Sequence, residues 1–340
     1  MRKGSVMMFS KDIGIDMGTA NVLIYVKDKG LVINEPAVIA IDKRTDEPVA
    51  FGVEAYQMIG RSPEYIQIIR PMKAGNIADF EMARVLIRHF LEKALGKSLR
   101  IKPYITICCK ADTTRVEKSV IRQVMMGAGA KQVVIEEESK VAAIGAGMDI
   151  SKPSGNMIVD LGAGTTDASV LSMGEIVSFE KTKIGGFHFD QCIIQHIRKK
   201  HNVYIGEKTA EQVKKDMGVV LKDGKKPSAM NVHGSDLATG IPKTIEVTAE
   251  EIHQALFLPI NKIVETTRKA LEETMPELAA DIAQRGILLI GGGALLPGLD
   301  TLLSEHLNVP VFIAENALTC IAEGTGQLMD SVSKTSTRII

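Results

Sequence analysis

Two segments of this 340-residue chain follow the same short plan. The first is IGIDMGTAN at residues 13–21 and the second is MIVDLGAGTTD at residues 157–167. Each is an apolar strand that ends in Asp and runs through a tight Gly/Thr turn into a second apolar strand. Such a hairpin can direct backbone N–H groups and hydroxyls at an anion. Two of them, far apart in the chain, predict two similar lobes that hold a nucleoside triphosphate and a divalent cation between them.

The carboxylates of the two segments suit a cation. Taken singly, a strand followed by Asp-x-Gly-Thr is also typical of an ordinary hairpin, and its recurrence favours the phosphate site. Because Mg²⁺ keeps several of its waters, one carboxylate from each lobe can hold it through them. We therefore predict Asp16 and Asp160 as the metal-binding pair.

Composition limits the classes of protein that this chain can belong to. With 45% hydrophobic residues, the length suits about two domains with sizeable cores. The formal net charge of +0 argues against a nucleic-acid partner, which needs a basic face. No apolar run approaches the roughly 18 residues that span a bilayer. The N-terminus also lacks the features of a secretion signal.

Cysteine usage indicates the cellular compartment. Cys108, Cys109, Cys192 and Cys320 contain no C-x-x-C pair. We expect four free thiols in a reducing environment, and hence a cytoplasmic protein.

Strand and helix patterns alternate from about residue 12, which favours the α/β class. Val116, Val120 and Val124 recur at four-residue spacing and predict an amphipathic helix with one apolar stripe. The segment SKPSG at residues 151–155 is the best boundary between the two lobes.

Several local signals place further elements. The segments TAEQ at 209–212 and TAEE at 248–251 have capping-box spacing, so helices should begin there. Pro259 should kink the second helix or end its first half. A polar, turn-rich segment at 222–228 predicts an exposed loop, and the polar tail after Asp330 predicts disorder.

A third glycine-rich element is ILLIGGG at residues 287–293. Its apolar part predicts a buried strand, and its glycines would let the backbone lie flat against a planar ligand such as a nucleobase. An ordinary strand-to-helix turn is the alternative. Since the element follows the two phosphate loops, we predict that it forms the adenosine site.

Taken together, these elements resemble the actin, heat-shock chaperone and sugar-kinase superfamily, and within it the MreB family of bacterial actin homologues. The resemblance extends from about residue 10 to residue 330. Six segments carry it in order: DMGTAN at 16–21, EE at 137–138 before AAIGAG at 142–147, IGEKTAE at 205–211, PELA at 276–279, GGGALL at 291–296 and LTCIAEGTG at 318–326.

The resemblance implies an α/β actin-like ATPase fold, with two ribonuclease H-like lobes around a central nucleotide cleft. Lobe I would comprise residues 1–150, with a small subdomain near 35–78. Lobe II would comprise 151–325, with a small subdomain near 187–250. Residues 326–340 would end the last helix and form a flexible tail that returns to lobe I.

The resemblance also implies the residues that bind ATP and Mg²⁺. The phosphates would lie between two loops, formed by Gly18, Thr19, Ala20 and Asn21 on one side and by Gly162, Ala163, Gly164 and Thr165 on the other. Glu211 and Lys214 would reach the ribose and the edge of the base. The adenosine would be backed by Gly292, Gly293 and Ala294.

The implied catalytic residues are Glu138, Thr166 and Asp160. Glu138 stands where the family's water-activating glutamate sits, and Thr166 would help it to position the attacking water. In-line attack on the γ-phosphate needs positioning and charge neutralisation more than a strong base. Because Glu138 ends an acidic run, a purely structural charge at a helix end is the alternative for it.

Three departures from the family pattern bear on turnover. Ser139 and Lys140 replace the usual Pro-Met after Glu138, and Lys140 could pair with Glu138 and hold it off the water. Ala163 replaces the usual central glycine of the second phosphate loop. Phe187 replaces an aspartate of the family near the nucleotide. We expect binding to survive, and hydrolysis or a release step to be slow.

For function, the resemblance implies a cytoskeletal ATPase that hydrolyses ATP to ADP and phosphate. It would polymerise into filaments of paired antiparallel strands under the cytoplasmic membrane and take part in cell shape, with paralogues and membrane-bound shape proteins as further partners. Met7, Met8 and Phe9, or Leu99 and Ile101, each with neighbouring cations, could contact lipid or be ordinary loop residues.

Two other functions remain open at this stage. A small-molecule or sugar kinase on the same fold would need a general-base aspartate in a substrate pocket. A monomeric chaperone-like ATPase is the third possibility. Sedimentation with ATP and Mg²⁺ distinguishes a polymer from both.

Overall fold

The computed structural model describes residues 12–96, 102–220 and 228–336, with side chains described as far as Met329. Three predicted features lie outside these ranges: the apolar patch at residues 7–9, the patch at Leu99 and Ile101, and nearly all of the loop at 222–228.

Strands and helices are mixed along the described chain, as expected for the predicted α/β class, but they do not strictly alternate, since five strands come before the first helix. The strands are β1 Asp12–Met17, β2 Asn21–Val26, β3 Gly30–Pro36, β4 Ile39–Asp42, β5 Glu47–Phe51, β6 Ile66–Ile69, β7 Met72–Lys73, β8 Asn76–Ile77, β9 Tyr104–Cys109, β10 Gln132–Glu137, β11 Asn156–Leu161, β12 Thr166–Ser172, β13 Glu175–Thr182, β14 Val203–Tyr204, β15 Ala229–Asp236, β16 Pro242–Thr248, β17 Ile287–Ile290 and β18 Val311–Ile313. The helices are α1 Gly52–Gln57, α2 Phe80–Leu95, α3 Arg115–Ala128, α4 Glu138–Gly145, α5 Gly186–His201, α6 Glu207–Met217, α7 Ala249–Glu272, α8 Pro276–Arg285, α9 Leu299–Leu307 and α10 Cys320–Ser336. A 3-10 turn, Gly292–Leu295, follows β17.

Two five-stranded sheets have the same pattern of pairing. One has the order β3-β2-β1-β9-β10 and the other the order β13-β12-β11-β17-β18. In both, the first two pairings are antiparallel and the last two are parallel. The two similar segments of the sequence are therefore equivalent hairpins, β1–β2 and β11–β12, as predicted.

Smaller sheets flank the two large ones. The order β5-β4-β6 forms one three-stranded sheet, and β14-β15-β16 forms another. A short hairpin, β7–β8, leads into α2. Both small sheets lie inside the ranges that the sequence analysis assigns to the small subdomains.

Each large sheet has its own hydrophobic core, and a third core joins them. Phe90 on α2 packs in the core of the first sheet, and Phe189 on α5 packs in that of the second. The third core includes Val141 of α4, Ile158 of β11 and Cys320 of α10. Helices α4 and α10 therefore connect the two sheets at the base of the cleft.

The contact between α4 and α10 is close enough to require glycine. A Cβ at Gly145 would lie 1.8 Å from the carbonyl oxygen of Cys320, and a Cβ at Gly324 would lie 2.0 Å from that of Val141. Because these neighbours are backbone atoms, the two helices could not keep this separation with larger residues.

Helix starts agree with the predicted capping signals in one case and not in the other. Thr248 caps α7 and forms a capping box with Glu251, as predicted. Pro259 lies inside α7, which continues to Glu272, so the prediction that it ends the first half is wrong. The predicted start at Thr209 is also wrong, because α6 begins at Glu207 and is capped by Gly206.

Two further predictions need correction. Helix α3 forms as expected, but its valine stripe is not uniformly buried: Val124 is buried, whereas Val116 is 74% exposed. Helix α10 runs to Ser336, so the prediction of a disordered tail after Asp330 is wrong for residues 331–336. The described part of α10 packs on α4 and on β1.

Candidate nucleotide site

A cleft lies between the two large sheets, at the carboxyl ends of β1, β9, β11 and β17. Side chains at the carboxyl ends of parallel strands converge on one edge of a sheet, which is where open α/β folds bind ligands. The cavity has a volume of about 720 Å³. This is within the usual range for the site of a small organic ligand.

Most of the predicted site residues line this cleft. Those that do are Asp16, Gly18, Thr19, Ala20, Asn21, Glu138, Asp160, Gly162, Ala163, Gly164, Thr165, Glu211, Lys214, Gly292 and Gly293. Two predicted residues, Thr166 and Ala294, do not belong to the lining and are fully buried. Ala294 packs in the core of the second sheet, so only the glycines of its motif face the cavity.

The two predicted phosphate loops approach each other across the cleft. Thr19 accepts a hydrogen bond at Oγ1 from the N–H of Gly75, 3.0 Å away, which ties the first loop to the β7–β8 hairpin. A Cβ at Gly164 in the second loop would lie 3.0 Å from this Oγ1 and 3.0 Å from Cα of Ala74. Gly164 therefore allows the second loop to close against the first.

A second contact fixes the other side of the second loop. The N–H groups of Gly186 and Phe187 donate to the carbonyl oxygens of Gly162 and Ala163, at 3.1 and 2.9 Å. The Ala163 methyl is accommodated in the loop, and Phe187 contributes its ring to the cleft lining. The centroid of this ring lies 5.2 Å from the guanidinium carbon of Arg70.

Thr166 faces away from the cleft because side chains alternate along a strand. Its hydroxyl donates to the carbonyl oxygen of Ile184, 2.8 Å away. The neighbouring Thr165 lines the cleft, and its hydroxyl donates to Asp167, 2.8 Å away. The structure thus gives no support to Thr166 as the residue that positions water.

A lysine that the sequence analysis missed lies at the centre of the acidic groups. Lys110 follows β9 directly, and its Nζ lies 2.7 Å from Glu138, 2.9 Å from Asp167 and 3.1 Å from Asp160. A sequence signal existed, because β9 is the parallel neighbour of β1 and β10, whose ends carry Asp16 and Glu138. We call Lys110 and its three carboxylate partners the Lys110 cluster.

Burial controls the ionisation of this region. It raises the pKa of Glu138 to about 8, although the Lys110 ammonium acts in the opposite direction. Burial, and next the charge of Asp160, raise the pKa of Asp16 to about 7. Burial by itself would lower the pKa of Lys110, but its carboxylate partners outweigh that effect and raise it well above the usual value. The lysine is therefore an ammonium ion.

The expected pairing of Lys140 with Glu138 is wrong. Lys140 forms ion pairs with Glu137, 3.0 Å away, and with Glu175, 2.5 Å away. Residues two apart on a helix do not face each other, whereas residues three apart do. Lys110, and not Lys140, is the cation that holds Glu138.

On the predicted adenosine side of the cleft, both predicted ribose contacts have protein partners. Lys214 forms an ion pair with Asp190, 2.8 Å away, and donates to the carbonyl oxygen of Gly186, 3.1 Å away. Glu211 forms an ion pair with Lys215 one turn further along α6, at 2.6 Å. It also accepts a hydrogen bond from the hydroxyl of Tyr56, on the opposite side of the cleft.

Comparison with known proteins decides the family. The family model for MreB/Mbl protein matches residues 10–337. The chain belongs to the MreB/Mbl family. It is 49% identical to the cell shape-determining protein Mbl of Bacillus cereus, over 98% of this chain and 100% of that protein. It is 43% identical to the cell shape-determining protein MreB of Escherichia coli K12, over 96% of this chain and 95% of that one.

Solved structures of two other proteins have the same fold. MreB5 of Spiroplasma citri bound to ADP superposes with a TM-score of 0.92 at 37% identity, over 97% of this chain and 99% of that chain. The MamK double helical filament superposes with a TM-score of 0.79 at 21% identity, over 94% of this chain and 99% of that one, which shows the fold alone. This member of the MreB/Mbl family therefore has the predicted actin-like α/β fold.

Among the described residues, no helix has both the length and the apolar character to cross a bilayer.

Proposed function

We propose that this chain is an actin-like cytoskeletal ATPase, which binds ATP with Mg²⁺ in the cleft and polymerises into filaments that take part in cell shape. The observation that carries the proposal is the convergence of the two equivalent hairpin loops and the Gly291–Gly293 segment on one cavity. The relatives named above are cell shape-determining proteins. MreB5 of Spiroplasma citri has been solved with ADP and with AMPPNP.

The residues at the base of the cleft suit a divalent cation. The carboxyl groups of Glu138, Asp160 and Asp167 surround the Lys110 ammonium, and Asp16 lines the same cavity. Oδ1 of Asp167 is buried without a hydrogen-bond partner among the described residues. No group of three or more potential ligands is close enough to hold a metal directly in the described part of the chain. We therefore propose that Asp16 and Asp160 hold Mg²⁺ through water, beside the nucleotide phosphates.

For hydrolysis, we propose that Glu138 positions the attacking water. Its carboxylate lines the cleft at the start of α4, where the helix also fixes its backbone. The Lys110 ammonium engages this carboxylate at 2.7 Å, so Glu138 must partly exchange this partner before it can hold a water. Because this exchange must come before hydrolysis, we propose that turnover is slow. Bound Mg²⁺ would neutralise charge that develops on the transferred phosphoryl group.

We further propose that the filaments consist of paired antiparallel strands at the inner face of the cytoplasmic membrane. The support is family membership, together with the MamK double helical filament, whose subunit shares this fold. The two proposed lobes, 1–150 and 151–325, meet at the cleft, so a bound nucleotide can bias their relative position. Paralogues and membrane-bound shape proteins are proposed as additional partners.

Sedimentation of the purified chain with ATP and Mg²⁺ tests the proposal. We expect a pelletable polymer and release of phosphate, and filaments on anionic vesicles in electron microscopy. A protein that stays monomeric and phosphorylates a sugar or small acid would overturn the proposal in favour of a kinase. Filaments that form in solution but never on vesicles would remove only the membrane part.

A further inference from the structure

The Lys110 cluster is the most buried group of charges in the cleft. The side chain of Lys110 is 10% exposed, and those of Asp160 and Asp167 are 8% and 2% exposed. Charges in such a position interact more strongly than surface ion pairs because little water screens them. One ammonium there is shared among three carboxylates, at 2.7 to 3.1 Å.

The chain holds this ammonium in place. Lys110 follows the last residue of β9, so its backbone is fixed by the sheet. Its aliphatic stem passes beneath Gly75, where a Cβ would lie 3.2 Å from Cε of Lys110. Gly75 has φ +80°, a conformation that side chains rarely adopt, so the turn above the lysine is built for glycine. The ammonium is thus directed at the carboxylates and at the cavity.

In the described part of the chain, the other lysines that line the cleft do not pair with the carboxylates of the Lys110 cluster. Lys214 and Lys215, the other lysines that line the cavity among the described residues, both lie on α6. They pair with Asp190 and Glu211. Near the two Asp-bearing loops, the described lining supplies one ammonium and several carboxylates.

A polyphosphate that enters this region is repelled by the ionised carboxylates around Lys110 unless a cation neutralises them. A divalent cation from solution can provide part of that neutralisation. An ammonium that belongs to the chain provides another part, and it is present before any metal binds. This step rests on the proposed function, since it takes the cleft to be a nucleotide site.

We propose that Lys110 is a resident counter-cation for the nucleotide phosphates, which allows this protein to bind ATP or ADP with only a weak dependence on Mg²⁺. Lys110 acts here as a positioning residue, because it fixes the carboxylates and offers its charge to the phosphates. The removal of its charge makes binding depend strictly on the divalent cation.

The test is equilibrium binding of ATP and ADP to the full chain, measured in excess EDTA and again with saturating Mg²⁺. In the parent, we expect the Kd in EDTA to exceed that in Mg²⁺ by less than about tenfold. Loss of a charge-assisted hydrogen bond in Lys110→Met should increase this ratio by a further factor of about ten or more. Lys110→Arg keeps the charge and should keep the ratio closer to that of the parent.

The matched control is Lys181→Met. Lys181 is also largely buried and pairs with Asp112 at 3.1 Å, but neither residue lines the cleft. In Lys181→Met, the ratio of the Kd in EDTA to the Kd in Mg²⁺ should equal that of the parent. A purely structural role of Lys110 would weaken binding equally with and without Mg²⁺, and so would leave the ratio unchanged.

An equal ratio in the parent and in Lys110→Met overturns the inference and leaves the proposed function standing. If Lys110→Met does not fold, the parent alone decides, because failure to bind nucleotide in EDTA while it binds in Mg²⁺ also overturns the inference. Failure of the parent to bind nucleotide even in Mg²⁺ would overturn the proposed function itself.

Discussion

Tyr56 on α1 donates its hydroxyl hydrogen to the carboxylate of Glu211 on α6, across the mouth of the nucleotide cleft. The hydrogen bond joins residues on opposite sides of the molecule, from the helix beside the first small sheet to the helix beside the second. Burial raises the pKa of Glu211, but hydrogen bonds from Lys215 and Tyr56 outweigh burial and leave it lowered. Arg70 forms a second contact of this kind, an ion pair with Glu207 at 3.0 Å. Together they link the two sides of the cleft.

Removal of the Tyr56 hydroxyl should accelerate nucleotide release. Tyr56→Phe keeps the ring and loses the hydrogen bond to Glu211. At a half-buried carboxylate, we expect this loss to increase the rate of nucleotide release roughly three- to tenfold. Stopped-flow release of a fluorescent ADP analogue measures the rate. Tyr65→Phe serves as control, since its ring packs on Arg44 away from the cleft. Unchanged or slower release would show that Glu211, once free of Tyr56, contributes more to nucleotide contact than to closure.

Substitution of Glu138 should separate hydrolysis from binding. Glu138→Gln keeps the shape but cannot act as a base, so we expect phosphate release to fall by about 100-fold. The Kd for ATP should change much less. Glu137→Gln is the matched control, because Glu137 pairs with Lys140 and does not line the cleft. Hydrolysis at the parental rate by Glu138→Gln would contradict the catalytic assignment.

The ionisation of Glu138 predicts how stability depends on pH. Its pKa is raised from the usual 4.5 to about 8, so the folded state favours the neutral carboxyl. The stabilisation that comes from the protonated carboxyl is complete below the pKa of Glu138 in the unfolded state. It is lost as the pH rises through the pKa of Glu138 in the folded state. The nucleotide-free parent should therefore lose stability relative to Glu138→Gln between about pH 5 and pH 9.

Urea unfolding in EDTA, at a series of pH values, measures this difference. The free energy of unfolding of Glu138→Gln minus that of the parent should grow with pH. A difference that stays constant or shrinks would mean that Glu138 ionises normally in the folded protein.

Close packing of α4 on α10 should make Gly145 intolerant of a methyl group. The added Cβ would lie 1.8 Å from the Cys320 carbonyl oxygen, so the helices must separate. We expect Gly145→Ala to lower the free energy of unfolding by about 1–3 kcal/mol. Gly206→Ala, at a position with no atom near the added Cβ, should cost less than about 1 kcal/mol. Equal stability of the two variants would contradict the packing argument.

The hairpins and their strands could be predicted from the sequence because their signals are local. Each combines apolar runs with a Gly/Thr turn, and the turn itself brings the two strands together. The buried strand Ile287–Ile290 and the capped start of α7 were predictable for the same reason. At Thr209, an equally good capping signal failed, because Gly206 lies at the turn where the chain enters the helix.

The positions of the charged groups could not be predicted in the same way. Lys140 is close to Glu138 in sequence, yet the helix directs it to Glu137 and Glu175. Lys110 is distant in sequence, yet parallel pairing of β9 with β10 brings it to Glu138. The position of Thr166 in its motif predicts a role at the cleft, but strand alternation directs its side chain toward Ile184.

By itself, the sequence determined two equivalent Asp/Gly/Thr hairpins and the α/β alternation around them, because turn chemistry and apolar periodicity act over a few residues. The tertiary structure decided which cation holds Glu138 and which side chains close the cleft. Those contacts join residues as far apart as Tyr56 and Glu211, and they form only when separate sheets and helices pack at a defined distance and angle. Electrostatic neighbours in a buried site are therefore a property of the packed fold.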